Sequence, residues 1–456
     1  MRRFYVQLSL ICIIMVFTVG CEDELNIEPQ QDISAETALE DEESVLNLLV
    51  GVYRESSLGA GFGGVSQITS DLLGSAFNEV SWHGTSTNVP EFLLKDILSD
   101  NFNAQSVWNI HYQIINQANI VLDHLDLITS SVEVQQSAEG EAKFLRAMAY
   151  FDLVKLYGLP YEDGMANDQM GVPIRIEGIV DFDEDLSIAR NSVAEVYNLI
   201  ISDLNDAYIL LPAFNDFFAD RYSAKAFLAR VYLQQQNYNA ARDAANDVIE
   251  NSGHGLNPEF NSVFNNDSDS VEDLFALNYT NQDFTNQFIV GYASRINGGA
   301  GGNIAIEQGY LNLFDDPTND ERASFFYISA DNGQLLTSKY TNQFGNIALI
   351  RLAEMHLIRA ECNYRLGTSI GLDPLSEINT IRARSGATAH GGLTLDLILN
   401  ERRLELGFEG FLIHDIKRTM GSIEGYPFDA DNLVLPIPQS EMDTNQLIEQ
   451  NPGYSD

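Results

Sequence analysis

Two stretches of the chain carry apolar residues on two sides of one helix, and that pattern narrows the fold more than any other feature. In residues 141–156 (EAKFLRAMAYFDLVKL), Phe144, Ala147, Met148, Phe151 and Val154 form one stripe at helical spacing. Leu145, Ala149, Leu153 and Leu156 form a second stripe. In 351–366, Ala353, Leu357, Ala360 and Tyr364 make one face, and Met355, Ile358, Cys362 and Leu366 make another. A helix with a single stripe covers a core once, whereas a helix striped twice has to sit between neighbours. Stacked helical hairpins meet that demand. The expected class is therefore all-α dominated, a tetratricopeptide-like helical-hairpin repeat scaffold.

One segment carries the repeat spacing itself. In SAKAFLARVYLQQQNYNAARDAANDVIEN (223–251), Leu228, Ala229 and Tyr232 stand at first-helix signature positions, and Ala241 follows Ala229 by twelve residues. Ala245 and Val248 continue the second helix. Small side chains at Ala229 and Ala241 let two antiparallel helices approach closely, with Tyr232 filling the space beside them. Residues 60–95 and 251–345 differ in character, with runs such as GAGFGG, GTSTN and RINGGAGGN. They read as loop regions laid on the scaffold, where binding residues concentrate.

The 456 residues are 45% hydrophobic, enough for a large core, and no long Pro/Gly/Ser linker interrupts 35–456, so one folded body is expected there. Lys and Arg total 25 against 66 Asp and Glu, a net charge of −41. Nucleic acid is excluded as a partner class, because neutralising phosphates needs a basic stripe. The densest basic cluster, Arg351 to Arg365, also carries Glu354 and Glu361. The acidity reads as a strongly solvated surface. Of three cysteines, Cys12 and Cys21 lie at the N-terminus and Cys362 in a helical pattern, so the mature chain has no disulfide framework and Cys362 is a core residue.

The N-terminus reads as an address. Arg2 and Arg3 precede the apolar run 8–19, which has the length of a signal h-region rather than a membrane span. Gly20-Cys21 then closes it in the pattern of a bacterial lipoprotein signal, although Thr18 stands where such signals usually carry Leu. The expected organisation is a signal peptide over 1–20, an acidic lipidated tether over 21–34 anchored at Cys21, and the helical-repeat domain over 35–456. Multiple acyl chains on Cys21 give stable anchoring at ~0.8 kcal/mol per buried methylene. Glu22, Asp23 and Glu24 resemble the surface-export signal of Bacteroidota lipoproteins.

Searches for catalytic chemistry return little. The seven histidines show no HExxH and no Cys/His ligand spacing, so no metal or cofactor is expected. Asp181, Asp183 and Asp185 begin like a calcium loop, but Leu186 stands where Gly is needed and Ser192 where a bidentate Glu is needed. Gly298 to Gly302 lacks the Lys and Ser/Thr of a phosphate loop. The cluster Glu401, Arg402, Arg403, Glu405 places two acids one helical turn apart, and its arginines are within reach of Asp415 or Glu409. It reads as a structural ion-pair network rather than a catalytic pair.

Several separated motifs resemble one family. Trp108, Tyr112, Ala118 and Asn119 stand at its early-helix steps, and Glu141 through Arg146-Ala147 to Tyr157-Gly158 looks like its second hallmark. Ser192 to Leu204 looks like a third. Ile378 to Gly386, Glu401 to Leu406, Phe408-Glu409-Gly410, Asp415 to Arg418, Leu435 to Pro438 and Gln450 to Tyr454 follow in order. The chain is identified as a member of the SusD-like (RagB/SusD) nutrient-binding lipoproteins, departing from their pattern at Gly407, Phe411 and Leu412.

That resemblance implies a non-enzymatic protein of the outer membrane. It would capture oligosaccharide or polysaccharide for a SusC-like TonB-dependent transporter, with peptide capture or a surface glycoside hydrolase as the alternatives. The ligand site it implies lies in the two loop-rich regions. Trp82 sits among Asn78, His83 and other hydrogen-bonding residues, a ring able to stack on a pyranose while its neighbours bind hydroxyls. Asp71 belongs to the same region, and Phe284, Tyr292, Arg295 and Asn303 to the second. Trp108, in a helical pattern, is expected in the core.

Overall fold

In the computed structural model, which describes residues 39–180, 185–282 and 286–454, side-chain caps set where the long helices begin. Asp41 and Ser44 form a capping box for α1 (Glu42–Ser57). α2 (Val65–Gly74), β1 (Val80–Trp82) and α3 (Val89–Leu94) follow. Asn101 caps α4 (Phe102–Asp123) and Ser131 caps α5 (Val132–Tyr157). Ser192 with Glu195, and Asp220 with Ser223, make capping boxes for α6 (Val193–Leu210) and α7 (Arg221–Gln234). Asn237 caps α8 (Tyr238–Asn251).

These helices stack in chain order, α4 on α5, α5 on α6, α6 on α7 and α7 on α8. Both stripes of α5 are buried throughout, as the two-sided pattern requires, and Ala229, Ala241, Ala245 and Val248 are fully enclosed at the α7–α8 hairpin. Trp108 and Cys362 are core residues. β2 (Asp273–Leu277), α9 (Gln287–Tyr292), β3 (Ile304–Ile306), α10 (Gln308–Leu311), α11 (Glu321–Ser324), β4 (Phe326–Ile328), β5 (Leu335–Thr337) and β6 (Ile347–Arg351) come next. α12 (Leu352–Leu366) packs on α8 and is followed by α13 (Pro374–Arg384), α14 (Leu395–Glu405) and α15 (Leu412–Arg418). Tyr364 departs from the expected stripe: it lies in the last turn of α12, just before the left-handed Gly367, and is exposed.

The strands form antiparallel pairs, including β1 with β3 and β2 with β6. Residues 60–95 are not one loop. α2 runs through them, buried from Ile68 to Gly74, with Ser66, Ser70 and Ser75 returning their hydroxyls to backbone carbonyls of their own segment or turned onto neighbouring side chains. Gly74 allows the close approach of α15, since a Cβ there would stand 2.6 Å from the Ile413 nitrogen. Residues Asp41–Asp456 form one compact unit. Cys21, the signal and tether readings, Asp181, Asp183 and Phe284 fall outside the described residues. Among the described residues no helix is long and apolar enough to cross a membrane.

Candidate functional site

The β1–β3 ladder joins the two loop-rich regions. Val80 pairs with Ile306, Ser81 with Ala305 and Trp82 with Ile304, and the His83 N–H donates to the Asn303 carbonyl at 2.7 Å. Trp82 is therefore the last residue of a strand rather than a loop residue, and its backbone is held by a ladder. Its ring is half-buried and lies against Gly84, which leaves no room for a Cβ at that position. The indole Nε1 is shielded and finds no partner among the described residues. Ser81 donates its hydroxyl proton to Glu307, which leaves the Ser81 oxygen to accept from His83 Nε2 at 2.9 Å.

Asn78 and His83 are exposed, and the Asn78 carbonyl accepts from the Gly309 N–H at 2.7 Å. Asn303 donates through Nδ2 to the Val290 carbonyl at 3.2 Å. Arg295 is exposed beside Gly301, two residues ahead of Asn303, and its backbone N–H donates to Asp331 at 2.7 Å. Trp82, His83 and Asn303 are thus brought together, with Asn78 and Arg295 on the adjoining segments.

Two expected ligand contacts lie in the interior instead. Tyr292 is the buried last residue of α9, stacked on Tyr340 with centroids 5.6 Å apart and edge-on to Phe408 at 5.7 Å. Asn286 caps that short helix, its side chain accepting from the Ile289 N–H. Asp71 is buried on α2 and accepts from the Gly410 N–H at 2.9 Å. Burial pushes its carboxyl up to about 7, against the lowering effect of the backbone N–H groups of Gly410 and Leu412. Neither side chain presents itself to a surface ligand.

The acid and arginine cluster of α14 is an ion-pair network. Glu401 meets Arg322 at 2.6 Å and Arg382 at 3.0 Å. Glu405 meets Arg384 at 2.5 Å, Arg351 at 3.1 Å and Arg322 at 3.5 Å. Burial alone would raise the Glu405 carboxyl, but Arg384, Arg351 and Arg322 together hold it well below the usual carboxylate range. Arg402 pairs with Asp415 at 2.9 Å, while Arg351 also takes Glu272 at 2.7 Å and Glu409 at 2.9 Å. Arg403 turns away from this buried group and pairs with Glu79 at 2.5 Å. Guanidinium groups enclosing the Glu405 carboxylate favour its charged form. Among the described residues no group of three or more His, Cys, Asp or Glu is placed to hold a metal ion.

Sequence reasoning did not find Arg322, Arg351 or Glu272, whose glutamate and arginine partners in this network lie far away along the chain. The available signal is the apolar run Ile347 to Ile350, which Arg351 closes at the start of a two-faced helix.

Comparison with known proteins places this architecture. A family model described as "Starch-binding associating with outer membrane" matches residues 25–233, and the SusD family model matches 234–431. The chain belongs to the SusD family. SusD-like protein P2 of Formosa agariphila is 24% identical over 97% of this chain and 98% of its own length. A SusD-like protein of Bacteroides ovatus is 26% identical over 71% of this chain and 66% of its own. A SusD superfamily crystal structure from Bacteroides thetaiotaomicron superposes with a TM-score of 0.79 at 26% identity, covering 91% of this chain and 100% of that one. One from Bacteroides vulgatus gives 0.80 at 24% identity, covering 91% and 99%. The SusD family is carbohydrate-binding and associated with the outer membrane. In this SusD chain helices, not the loop-rich segments, carry most of the motifs that marked the resemblance.

Proposed function

We propose that this chain is a surface-facing, lipid-anchored glycan-binding protein that captures oligosaccharide and passes it to a SusC-like TonB-dependent transporter without cleaving it. The observation that carries the reading is Trp82: a half-buried indole held at a strand end, with His83 and Asn303 hydrogen-bonded to each other beside it. A ring fixed in this way can stack on the apolar face of a pyranose, while the exposed polar groups of Asn78, His83 and Arg295 bind hydroxyls. The ion pairs of α14 give the scaffold its rigidity and take no part in chemistry. Anchoring rests on the Gly20-Cys21 pattern and outward orientation on Glu22 to Glu24.

The test combines three measurements on the chain expressed in its own membrane. A glycan array identifies the oligosaccharide, calorimetric titration measures its affinity, and chromatography follows the sugar for shortening. Saturable binding of an intact glycan supports capture; steady release of shorter sugars sinks it in favour of a hydrolase. Binding confined to peptides would point to the peptide-capturing alternative. Intact mass of the membrane form reads the anchor, with acylation at Cys21 expected and an unmodified chain cleaved elsewhere overturning it.

A further inference from the structure

A cavity of about 350 Å³ lies between α2, α14 and α15 and the short strand Ser422–Ile423 that follows them. Much of its wall is apolar, made by Leu399, Leu406, Phe408, Phe411, Ile416 and Ile423. Its acids are Asp71, Glu79, Asp396 and Asp415, and its cations are Arg402 and Arg403. Most of these groups are already engaged. Asp415 accepts from Nε of Arg402 and from Nε of Arg418, Asp71 accepts from Gly410, and Glu79 takes Nη2 of Arg403.

Two donors are left over. Nη1 of Arg402 and Nε of Arg403 are buried and have no hydrogen-bond partner among the described residues. Arg402 is 2% exposed and also borders a smaller interior cavity beyond Phe411. Arg403 borders the larger cavity. Buried donors are costly to leave unmade, so the site favours an occupant that brings acceptor oxygens. Arg402 and Arg403 are each already paired with a carboxylate, Asp415 and Glu79, so neither offers an unbalanced positive charge to an anion and an uncharged acceptor is preferred. Asn400 spends its Nδ2 on the Leu313 carbonyl and keeps Oδ1 to accept, and Asp396 stands exposed at the rim.

We propose that this cavity is a second binding site, separate from the Trp82 surface, for one uncharged sugar residue. Sugar hydroxyls accept from arginine N–H groups, donate to Asn400 and Asp396, and turn C–H faces toward Leu399 and Phe408. The volume sits at the lower end of small-molecule pockets, about 300–1,000 Å³, which is monosaccharide size. The proposal does not depend on Trp82 binding glycan.

Saturation-transfer NMR on the mature chain would use D-galactose, D-mannose, L-fucose and L-rhamnose as probes, with D-galacturonate as the charged control. The expected result is saturable binding of at least one neutral sugar and weaker or no binding of galacturonate. Measured in a Trp82→Ala background, which removes the ring of the other surface, that binding should persist and its affinity should fall at least tenfold on adding Leu399→Trp, which fills the cavity without removing a polar partner. If melting curves show that variant to be unfolded, Ile423→Phe fills the cavity from the opposite wall. Absence of binding by all four neutral sugars overturns the proposal, as does tighter binding of galacturonate. So does binding that Trp82→Ala abolishes, since the sugar would then sit on the Trp82 surface, and so does binding that the filled variant retains in full.

Discussion

Nη1 of Arg351 lies 3.1 Å from Oε1 of Glu405, with both side chains sealed from solvent. Arg351 is where β6 becomes α12, and Glu405 is the last residue of α14, so one ion pair ties the sheet-to-helix junction to the C-terminal helices. Glu272 and Glu409 complete the arginine's partners. The desolvation cost of such a group is offset only while every member is present.

Removing one member should therefore be severe. Glu405→Ala or Glu401→Ala is expected to lower unfolding free energy by about 3 kcal/mol, because each takes one of several carboxylate partners from buried guanidinium groups. Arg403→Ala breaks a partly exposed pair with Glu79 and should cost roughly 1 kcal/mol or less. Denaturant melts of the three variants decide it. Equal losses would mean that Arg403 is as integral to the network as the two glutamates.

Glu361 sets an acid limit on stability. Burial opposes its charge, but Arg418 at 2.7 Å and Arg365 at 2.8 Å bring its carboxyl down from 4.5 to about 2. A carboxylate with a depressed folded value contributes stability that is present above about pH 4.5 and lost as the pH falls toward 2. The span corresponds to roughly 3 kcal/mol. The stability gap between wild type and Glu361→Gln should narrow over that window. A gap independent of pH would show that the pairing does not depress the carboxyl.

Asp71 should behave in the opposite sense. Its carboxyl is raised from 3.8 to about 7, so the folded chain holds the proton more tightly than the unfolded chain. That contribution is complete below about pH 4 and disappears as the pH rises through 7. Asp71→Asn keeps an acceptor for the Gly410 N–H and removes the ionisation. Its stability relative to wild type should climb between pH 5 and pH 8, by on the order of 3 kcal/mol. Urea melts at several pH values measure this, and a flat difference would place the ordinary carboxylate value at Asp71.

The helical stack was legible in the sequence because its rule is local. Ala229 and Ala241 mark a close helix approach within one hairpin, and both stripes of α5 lie within one helix. α2 escaped notice because its buried face includes Ser66, Thr69, Ser70 and Asp71, polar residues satisfied by partners that no spacing reveals. Tyr292 was misplaced for a related reason: a Gly- and Asn-rich context reads as loop, while Tyr340 and Phe408 arrive from far along the chain to bury the ring. Gly407, a departure from the family pattern, sits where a Cβ would collide with the Tyr310 hydroxyl. Trp82 and Asn303 lie more than two hundred residues apart in separate loop-rich regions, and only the β1–β3 register makes them neighbours.

The Trp82 ring is the most direct test of glycan capture. Truncating a stacking indole removes its contact area and the attraction specific to its face, worth roughly 1–3 kcal/mol, or about five- to a hundredfold in affinity. The ring is half-buried against Gly84, so its removal also strips some packing from the strand end. The β1–β3 hydrogen bonds run through the backbone and survive the substitution, and the helical stack does not include this residue. Trp82→Ala is therefore expected to weaken binding of the array-identified oligosaccharide while its melting temperature stays within a few degrees of wild type. Calorimetric titration and circular dichroism melts on the same preparations separate the outcomes. Equal affinities would remove Trp82 from the site, and a loss of melting temperature in step with affinity would mean that the ring serves its own strand rather than a sugar.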